Sequence, residues 1–206
     1  MAIDGPAGAG KSTVARKLAE RLGFHYLDTG AMYRAVAWLA SGRGLPLEDG
    51  PALAGLAREH PVSFDDAGRV WIAGADVTAA IRKPEIDRLV PLVARQQELR
   101  AVLRERQREL GRQGNAVIEG RDIGTVVAPA AEVKVFLVAD EAVRARRRAG
   151  ERPGAEESAL ADQIRARDAS DAAQTVKADD AIELDTTELT IDEVVERIEL
   201  LVRRAA

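Results

Sequence analysis

GPAGAGKS at residues 5–12 fits the phosphate-binding pattern G-x-x-x-x-G-K-[ST], and it lies between a short apolar stretch and an amphipathic one. A nucleoside triphosphate is held by backbone N–H groups that converge on its oxygens, which requires a sharply curled chain. Gly5, Gly8 and Gly10 allow that curl because glycine adopts backbone angles that other residues avoid. The sequence predicts a strand, a phosphate-binding loop (the P-loop) and a helix in succession; a chance glycine-rich turn is the alternative.

The residues after the glycines add a charge and a metal ligand. The helix that begins at the loop directs the positive end of its dipole at the bound anion. Lys11 adds a full charge near the β- and γ-phosphates, and the Ser12 hydroxyl can reach a Mg²⁺ ion. The expected phosphate contacts are Gly5, Pro6, Ala7, Gly8, Ala9, Gly10, Lys11, Ser12 and Thr13.

The composition is that of a globular protein, since the 206 residues are 46% hydrophobic and 31% charged. The chain has no cysteine and two histidines, which argues against disulfides and a structural zinc site. A net charge of −4 gives no general attraction to nucleic acid, and no apolar run reaches the length of a membrane span. We expect a cytoplasmic monomer that binds small nucleotides, without nucleic-acid or membrane partners.

Alternating strand and helix patterns predict an α/β fold like that of the P-loop NTPases, with a parallel sheet wrapped by helices. One segment departs from this alternation, because residues 61–78 have the pattern of a β-hairpin, with a turn at 65–68, followed by a third edge strand. We therefore expect one domain over residues 1–206. Its expected parts are a core at 1–41, 85–140 and 156–206 and a small antiparallel insert at about 42–84.

Two interruptions are expected in the helical stretches. Pro91 lies inside a helical pattern and predicts a kink or a break there, because proline has no backbone N–H to donate. Residues 150–154 are rich in glycine and proline, and they are expected to end the arginine-rich helix of 141–148. These residues predict a short lid at about 144–155. A solvated loop is the alternative.

Polar residues follow two further strand patterns, at the sheet edge where open α/β folds hold their ligands. Asp28 and Thr29 follow a strand predicted to be buried at 24–27, and an N-cap is their alternative role. Glu119 ends the buried strand pattern 116–119. Together with Ser12 it is the candidate for holding Mg²⁺, and a helix cap is its alternative role.

Three segments are similar to the signature of the bacterial cytidylate kinases, which are nucleoside monophosphate kinases. They are IDGPAGAGKST at residues 3–13, LDTGAMYRA at 27–35 and GRDIGTVV at 120–127, and the resemblance extends over nearly the whole chain. It implies ATP-dependent, Mg²⁺-assisted phosphorylation of CMP and dCMP to the diphosphates, with release of ADP. It also implies that the antiparallel insert belongs to the monophosphate-binding region.

The resemblance implies roles for residues that contact the acceptor. Arg34 and Arg121 would hold the acceptor phosphate, with Thr29 nearby. Arg100 and Asp122 would read the cytosine edge, and a plain ion pair between these two is the alternative.

The remaining implied roles concern the ribose and the donor. Arg167 and Asp171 would hold the ribose hydroxyls. Three arginines would approach the donor phosphates when the lid closes: Arg144, Arg147 and Arg148. The residues expected to act in catalysis are Lys11, Arg121, Arg147 and Arg148.

Two positions depart from the family pattern. Pro91 stands where a serine usually assists base recognition, and Gln174 stands where an arginine is usual. Gln174 cannot supply a charge to a phosphate, so affinity or ribose selectivity is expected to differ.

Two alternative functions stay open: a P-loop kinase for another acceptor, such as UMP or a small metabolite, and a nucleotide-binding module that performs no transfer.

Overall fold

A computed structural model describes residues 1–65, 67–151 and 156–205, so position 66 of the expected turn and positions 152–155 of the expected lid lie outside the described residues. The chain divides into two compact units. The first unit comprises Met1–Leu27 and Gly111–Ala206, and the second comprises Asp28–Leu110.

The secondary structure alternates as the sequence predicts. The strands are β1 (Ala2–Asp4), β2 (His25–Asp28), β3 (Ser63–Phe64), β4 (Val70–Ile72), β5 (Ala75–Asp76), β6 (Ala116–Glu119), β7 (Lys134–Val138) and β8 (Ile182–Asp185). The helices are α1 (Lys11–Leu22), α2 (Thr29–Gly42), α3 (Gly50–Glu59), α4 (Pro84–Ala94), α5 (Gln97–Gly111), α6 (Glu141–Glu151), α7 (Glu157–Asp171) and α8 (Ile191–Ala205). Two short turns complete them, a 3₁₀ turn at Ala80–Arg82 and a π-helical turn at Ile123–Val127.

The central sheet has the strand order β2-β6-β1-β7-β8. β1 pairs in parallel with both β6 and β7, and β7 pairs in parallel with β8. The chain therefore leaves β1 in the middle of the sheet, with later strands on either side. This is the position at which open α/β folds form their ligand crevice, so the fold places the P-loop where a ligand can bind.

Apolar side chains of α1 and α8 cover β1, β6 and β7. Val14 and Leu18 of α1 and Ile198 of α8 are buried in one cluster with Ile3 and Val135 of the strands. Thr190 begins α8 with a capping box, because its backbone N–H donates to the Glu193 carboxylate at 2.8 Å. This packing fixes the helix that follows the P-loop against the sheet.

The second unit contains α2 to α5 and a three-stranded antiparallel sheet of order β3-β4-β5. This sheet confirms the predicted antiparallel insert. The unit also includes residues on both sides of the expected range 42–84, because α2 packs against α3, α4 and β4.

Three expectations about individual elements are wrong. The strand at β2 is not buried throughout, because β2 lies at an edge of the sheet, which leaves His25 exposed and Tyr26 partly exposed. The expected break at Pro91 is absent, because α4 continues to Ala94 and buries one face of its side chains, including Val90, and a kink there stays a prediction. α6 does not end before Gly150 but continues through it to Glu151.

Among the described residues, we find no helix whose length and apolar character would allow it to cross a membrane.

The P-loop leaves β1 in close contact with β7. Gly5 has φ +144°, and a Cβ atom at this position would lie 2.2 Å from the carbonyl oxygen of Leu137. A side chain would therefore force β1 and β7 apart in addition to straining the backbone. Only glycine fits at this point of the loop.

Gly5→Ala should lower the free energy of unfolding by at least about 2 kcal/mol, because a strained backbone and an overpacked contact each cost about 1–3 kcal/mol. Gly55→Ala is the matched control, since nothing lies within 4 Å of the added carbon in α3. It should raise the free energy by about 0.5–1 kcal/mol. Urea unfolding measures both, and a Gly5→Ala protein as stable as the wild type would contradict the close contact.

Candidate functional site

The P-loop is sharply curled at two of its glycines. Gly8 and Gly10 have φ +75° and +88°, and Gly10 is the N-cap of α1. A Cβ atom on Gly8 would lie 3.0 Å from Cβ of Arg144, so α6 packs directly on the loop. The N–H groups at the start of α1 are therefore preorganised to receive an anion.

Lys11 is buried beside the loop, and its Nζ donates to the carbonyl oxygen of Pro6 at 2.7 Å. Burial, and after it the Arg121 charge, lowers the pKa of Lys11 to about 7, although the Glu119 charge partly opposes this shift. These surroundings favour the neutral amine of Lys11 over its charged form, and a bound anion would reverse that preference. A phosphate oxygen can supply this negative charge.

Ser12 and Glu119 form the second feature of the site. The Ser12 hydroxyl donates to Oε1 of Glu119 at 2.6 Å, and the Tyr26 hydroxyl donates to the same oxygen at 3.3 Å. In the part of the chain that the structure describes, no three histidine, cysteine, aspartate or glutamate side chains form a metal cluster. Mg²⁺ commonly keeps several waters and takes one or two protein oxygens. A hydroxyl and a carboxylate in contact fit that requirement, so the expected metal pair lies together.

Arg121 joins the segment after β6 to the P-loop. Its Nη1 donates to the carbonyl oxygen of Gly5 at 2.7 Å, and its Nε donates to Oδ2 of Asp171 at 3.0 Å. Nε of Arg167 lies 3.8 Å from the same carboxylate oxygen. Arg121 and the two residues expected to hold a ribose therefore form one charged cluster in the first unit.

The arginines of α6 lie beside the loop. Nη1 of Arg144 donates to the carbonyl oxygen of Ala7 at 3.0 Å and also pairs with Asp168 of α7. Oδ1 of Asp168 accepts from the Ala7 N–H at 3.1 Å, so both polar groups of Ala7 are bound by side chains. Arg147 donates to the carbonyl oxygen of Thr186 at 2.6 Å.

Arg144 and Arg147 therefore bind protein groups in this structure, and Arg144 contacts the loop itself. Their expected contacts with donor phosphates stay a prediction, as does that of Arg148 on the same helix. Sequence patterns did not single out Asp168 or Thr186, whose partners are distant in sequence.

The second unit carries the other expected acceptor residues. Asp28 caps α2 by accepting from the Ala31 N–H at 2.8 Å, which confirms the capping role. Burial raises the pKa of Asp28, but the charges of Arg34 and Arg82 outweigh that effect, and the net pKa is lowered. Arg34 donates through Nε to Asp87 at 3.1 Å.

Arg100 is buried in the same unit, where Nη1 donates to the carbonyl oxygen of Ala94 at 3.2 Å and the guanidinium lies 5.9 Å from the Tyr33 ring centre. Thr29 is buried at the start of α2. Asp122 is also buried, but it belongs to the first unit. A shared role for Arg100 and Asp122 in reading one base stays a prediction.

Comparison with known proteins gives a consistent result over the full length. A family model described as cytidylate kinase matches residues 1–204. The chain is 45% identical to the cytidylate kinase of Bacillus licheniformis, covering 100% of this chain and 96% of that protein. It is 48% identical to the cytidylate kinase of Exiguobacterium sibiricum, covering 96% and 94% of the two chains.

Among solved structures, a shikimate kinase from Bacteroides thetaiotaomicron is similar, with a TM-score of 0.53 and 19% identity, covering 98% of this chain and 97% of that one. At this identity the likeness concerns the fold alone. It agrees with a P-loop kinase architecture.

The low pKa of Lys11 predicts that ATP binding is coupled to proton uptake. Above pH 7 the unbound lysine is largely neutral, and a bound phosphate raises its pKa, so binding takes up a proton. ATP affinity should then fall by up to roughly tenfold per pH unit above pH 7.

Calorimetric titration at pH 8 in two buffers with different ionisation enthalpies measures this uptake, and Lys11→Met is the control that should abolish it. Equal heats in both buffers for the wild type would contradict the prediction.

Proposed function

This chain belongs to the cytidylate kinase family, and we propose that it transfers the γ-phosphoryl group of ATP, bound with Mg²⁺, to CMP and dCMP. The observation that carries this proposal is the match of residues 1–204 to that family, supported by full-length relatives of 45% and 48% identity. The geometry of the P-loop supports the phosphoryl-transfer step.

The donor is bound by the P-loop and by Lys11. Lys11 exchanges its hydrogen bond to Pro6 for one to a phosphate oxygen, and the N–H groups at the start of α1 bind the remaining oxygens. The charge of Lys11 then lies where negative charge increases in the transition state, so it contributes to kcat.

Ser12 and Glu119 are the residues proposed to hold Mg²⁺, Ser12 through its hydroxyl and Glu119 through the carboxylate that contacts it. When bound, Mg²⁺ neutralises charge on the transferring phosphoryl group. Tyr26 keeps the Glu119 carboxylate oriented through its hydroxyl.

Five residues are proposed to bind the acceptor: Thr29, Arg34, Arg100, Arg121 and Asp122. The attacking atom is a phosphate oxygen of CMP, which is already ionised at neutral pH because the second pKa of a phosphomonoester is about 6. The reaction therefore needs orientation and cations rather than a general base.

Arg167 and Asp171 are proposed to bind the ribose, and Arg144, Arg147 and Arg148 the donor phosphates once their present contacts are exchanged. We propose that the protein acts as a monomer in the cytoplasm, where its substrates occur, without nucleic-acid or membrane partners. Gln174 is proposed to change ribose selectivity relative to relatives with an arginine there.

Coupled measurement of ADP release with CMP, dCMP, UMP and shikimate tests the proposed function. ADP should form fastest with CMP and dCMP, and Lys11→Ala should abolish it because the transition-state charge loses its cation. Faster turnover with UMP or shikimate, or ADP release independent of any acceptor, would contradict the proposal.

Arg34→Ala and Arg121→Ala should each raise the KM for CMP about tenfold to a hundredfold and change the KM for ATP much less. A charge-assisted hydrogen bond contributes about 1.5–3 kcal/mol, which sets that range. Arg82→Ala is the matched control, since Arg82 also pairs with a carboxylate of the second unit, at 2.7 Å from Asp28. If the KM for ATP rose by the same factor, the substituted arginine would be assigned to the donor site instead of the acceptor site.

Asp122→Asn should reduce kcat/KM for CMP and shrink the ratio of CMP to UMP activity by about tenfold or more. A carboxylate only accepts hydrogen bonds, so it matches the amine of cytosine and opposes the carbonyl of uracil, whereas an asparagine can donate. Steady-state rates with both nucleotides give the ratio. Proportional losses on CMP and UMP would show that Asp122 has no part in base recognition.

A further inference from the structure

The chain segment 120–124, which contains Arg121 and Asp122, is fastened to residues 3–5 by four hydrogen bonds. The Gly120 N–H donates to the carbonyl oxygen of Ile3 at 3.0 Å, and Arg121 donates to that of Gly5 at 2.7 Å. The N–H groups of Ile123 and Gly124 donate to the side chain of Asp4, at 2.9 and 2.7 Å. The end of β1 therefore determines the path of the segment after β6.

Asp4 is the only one of residues 3–5 whose side chain takes part in these four bonds. Its Oδ1 accepts from the Ile123 N–H, and its Oδ2 accepts from the Gly124 N–H. These N–H groups belong to the first two residues of the π-helical turn Ile123–Val127, where no carbonyl of the turn can receive them. Asp4 is buried, so water does not replace it as an acceptor.

The surroundings of Asp4 leave little room for another arrangement. A Cβ atom on Gly124 would lie 3.3 Å from Oδ2 of Asp4 and 3.2 Å from Cδ of Lys134, so the turn is packed on the carboxylate. On its far side, Lys134 donates to both oxygens of Asp180. The backbone of Gly124 is thus confined between the Asp4 carboxylate and the stem of Lys134.

We propose that Asp4 is a positioning residue that orients Arg121 and Asp122 toward the acceptor by holding the N–H groups of Ile123 and Gly124. This inference rests on the proposed function, because it names what fixes the acceptor-binding segment. Asp4 directly precedes the P-loop at Gly5, so the same residue ties the donor loop to the acceptor segment. It touches no reacting atom and acts only through the backbone that it holds.

Asp4→Asn tests the proposal with almost no change of volume. An asparagine keeps one acceptor oxygen but presents an NH₂ group to the second N–H, so one of the two bonds is lost and a donor faces a donor. The KM for CMP should rise about tenfold to a hundredfold, because a hydrogen bond to a buried charged group is lost. The ratio of CMP to UMP activity should shrink, while the KM for ATP changes much less.

Asp180→Asn is the matched control. It also removes a carboxylate that accepts two hydrogen bonds. Those bonds come from Lys134, and the side chain of Asp180 is exposed. It should leave the KM for CMP and the CMP to UMP ratio unchanged. If Asp4→Asn does not fold, Gly124→Ala, whose added carbon presses on the Asp4 carboxylate, should raise the KM for CMP in the same way.

Amide hydrogen exchange supplies a readout that does not depend on activity. The amides of Ile123 and Gly124 should exchange faster in Asp4→Asn than in the wild type and in Asp180→Asn. If these amides exchanged faster but the KM for CMP stayed unchanged, the positioning role would be wrong. If their exchange rates stayed unchanged, the hydrogen bonds to Asp4 would be contradicted. A fall in kcat with both KM values unchanged would reduce Asp4 to a structural residue.

Failure of the proposed function has a different signature. The wild type would then form no CDP while its Ile123 and Gly124 amides stayed protected. Failure of the inference about Asp4 would instead leave CDP formation by the wild type and by Asp4→Asn with equal KM values.

Discussion

Repulsion between the buried Lys11 and the nearby charges of Arg121 and Arg167 governs the arrangement around the P-loop. Burial lowers the pKa of Lys11 most, and the charges of Arg121 and Arg167 lower it as well. The charges of Glu119 and Asp4 oppose this shift only in part. A protein holds such a group of like charges only if carboxylates or a ligand balance it. The phosphate chain of a nucleotide has the charge and the oxygens to complete the balance, and for this reason the site is suited to phosphoryl transfer rather than to acid–base chemistry.

The acidic residues of the site orient other groups. Asp171 holds Arg121, Asp168 holds Arg144 and the N–H of Ala7, and Asp4 holds the turn at Ile123–Val127. The contacts of Asp171 with Arg121, of Asp168 with Ala7 and of Asp4 with the turn join segments at the ends of different strands of one parallel sheet. The loops at the carboxyl ends of these strands are therefore linked to one another by charge-assisted hydrogen bonds, which resist displacement more strongly than neutral ones. Such rigid support is what an enzyme that works by positioning requires.

Local signals in the sequence predict much of this structure. The P-loop glycines, the hairpin and the proximity of Ser12 and Glu119 follow from turn chemistry, strand alternation and strand-end position. The contacts of Asp4 with Ile123 and Gly124 and of Asp168 with Ala7 could not be predicted, because these partners lie more than a hundred residues apart and no local pattern records them. Neither Pro91 nor Gly150 ends its helix, because tertiary packing tolerates a lost hydrogen bond or a glycine within a helix that has a buried face. The fold itself does not identify the acceptor, since a shikimate kinase shares it.

The identity of the reaction is tested most directly by following the transferred group. The protein is incubated with Mg²⁺, CMP and ATP labelled in the γ-phosphate, and the labelled products are separated. Label should enter the β-phosphate of CDP in equal amount to the ADP formed. Label released as inorganic phosphate, or retained in ATP, would contradict phosphoryl transfer to CMP.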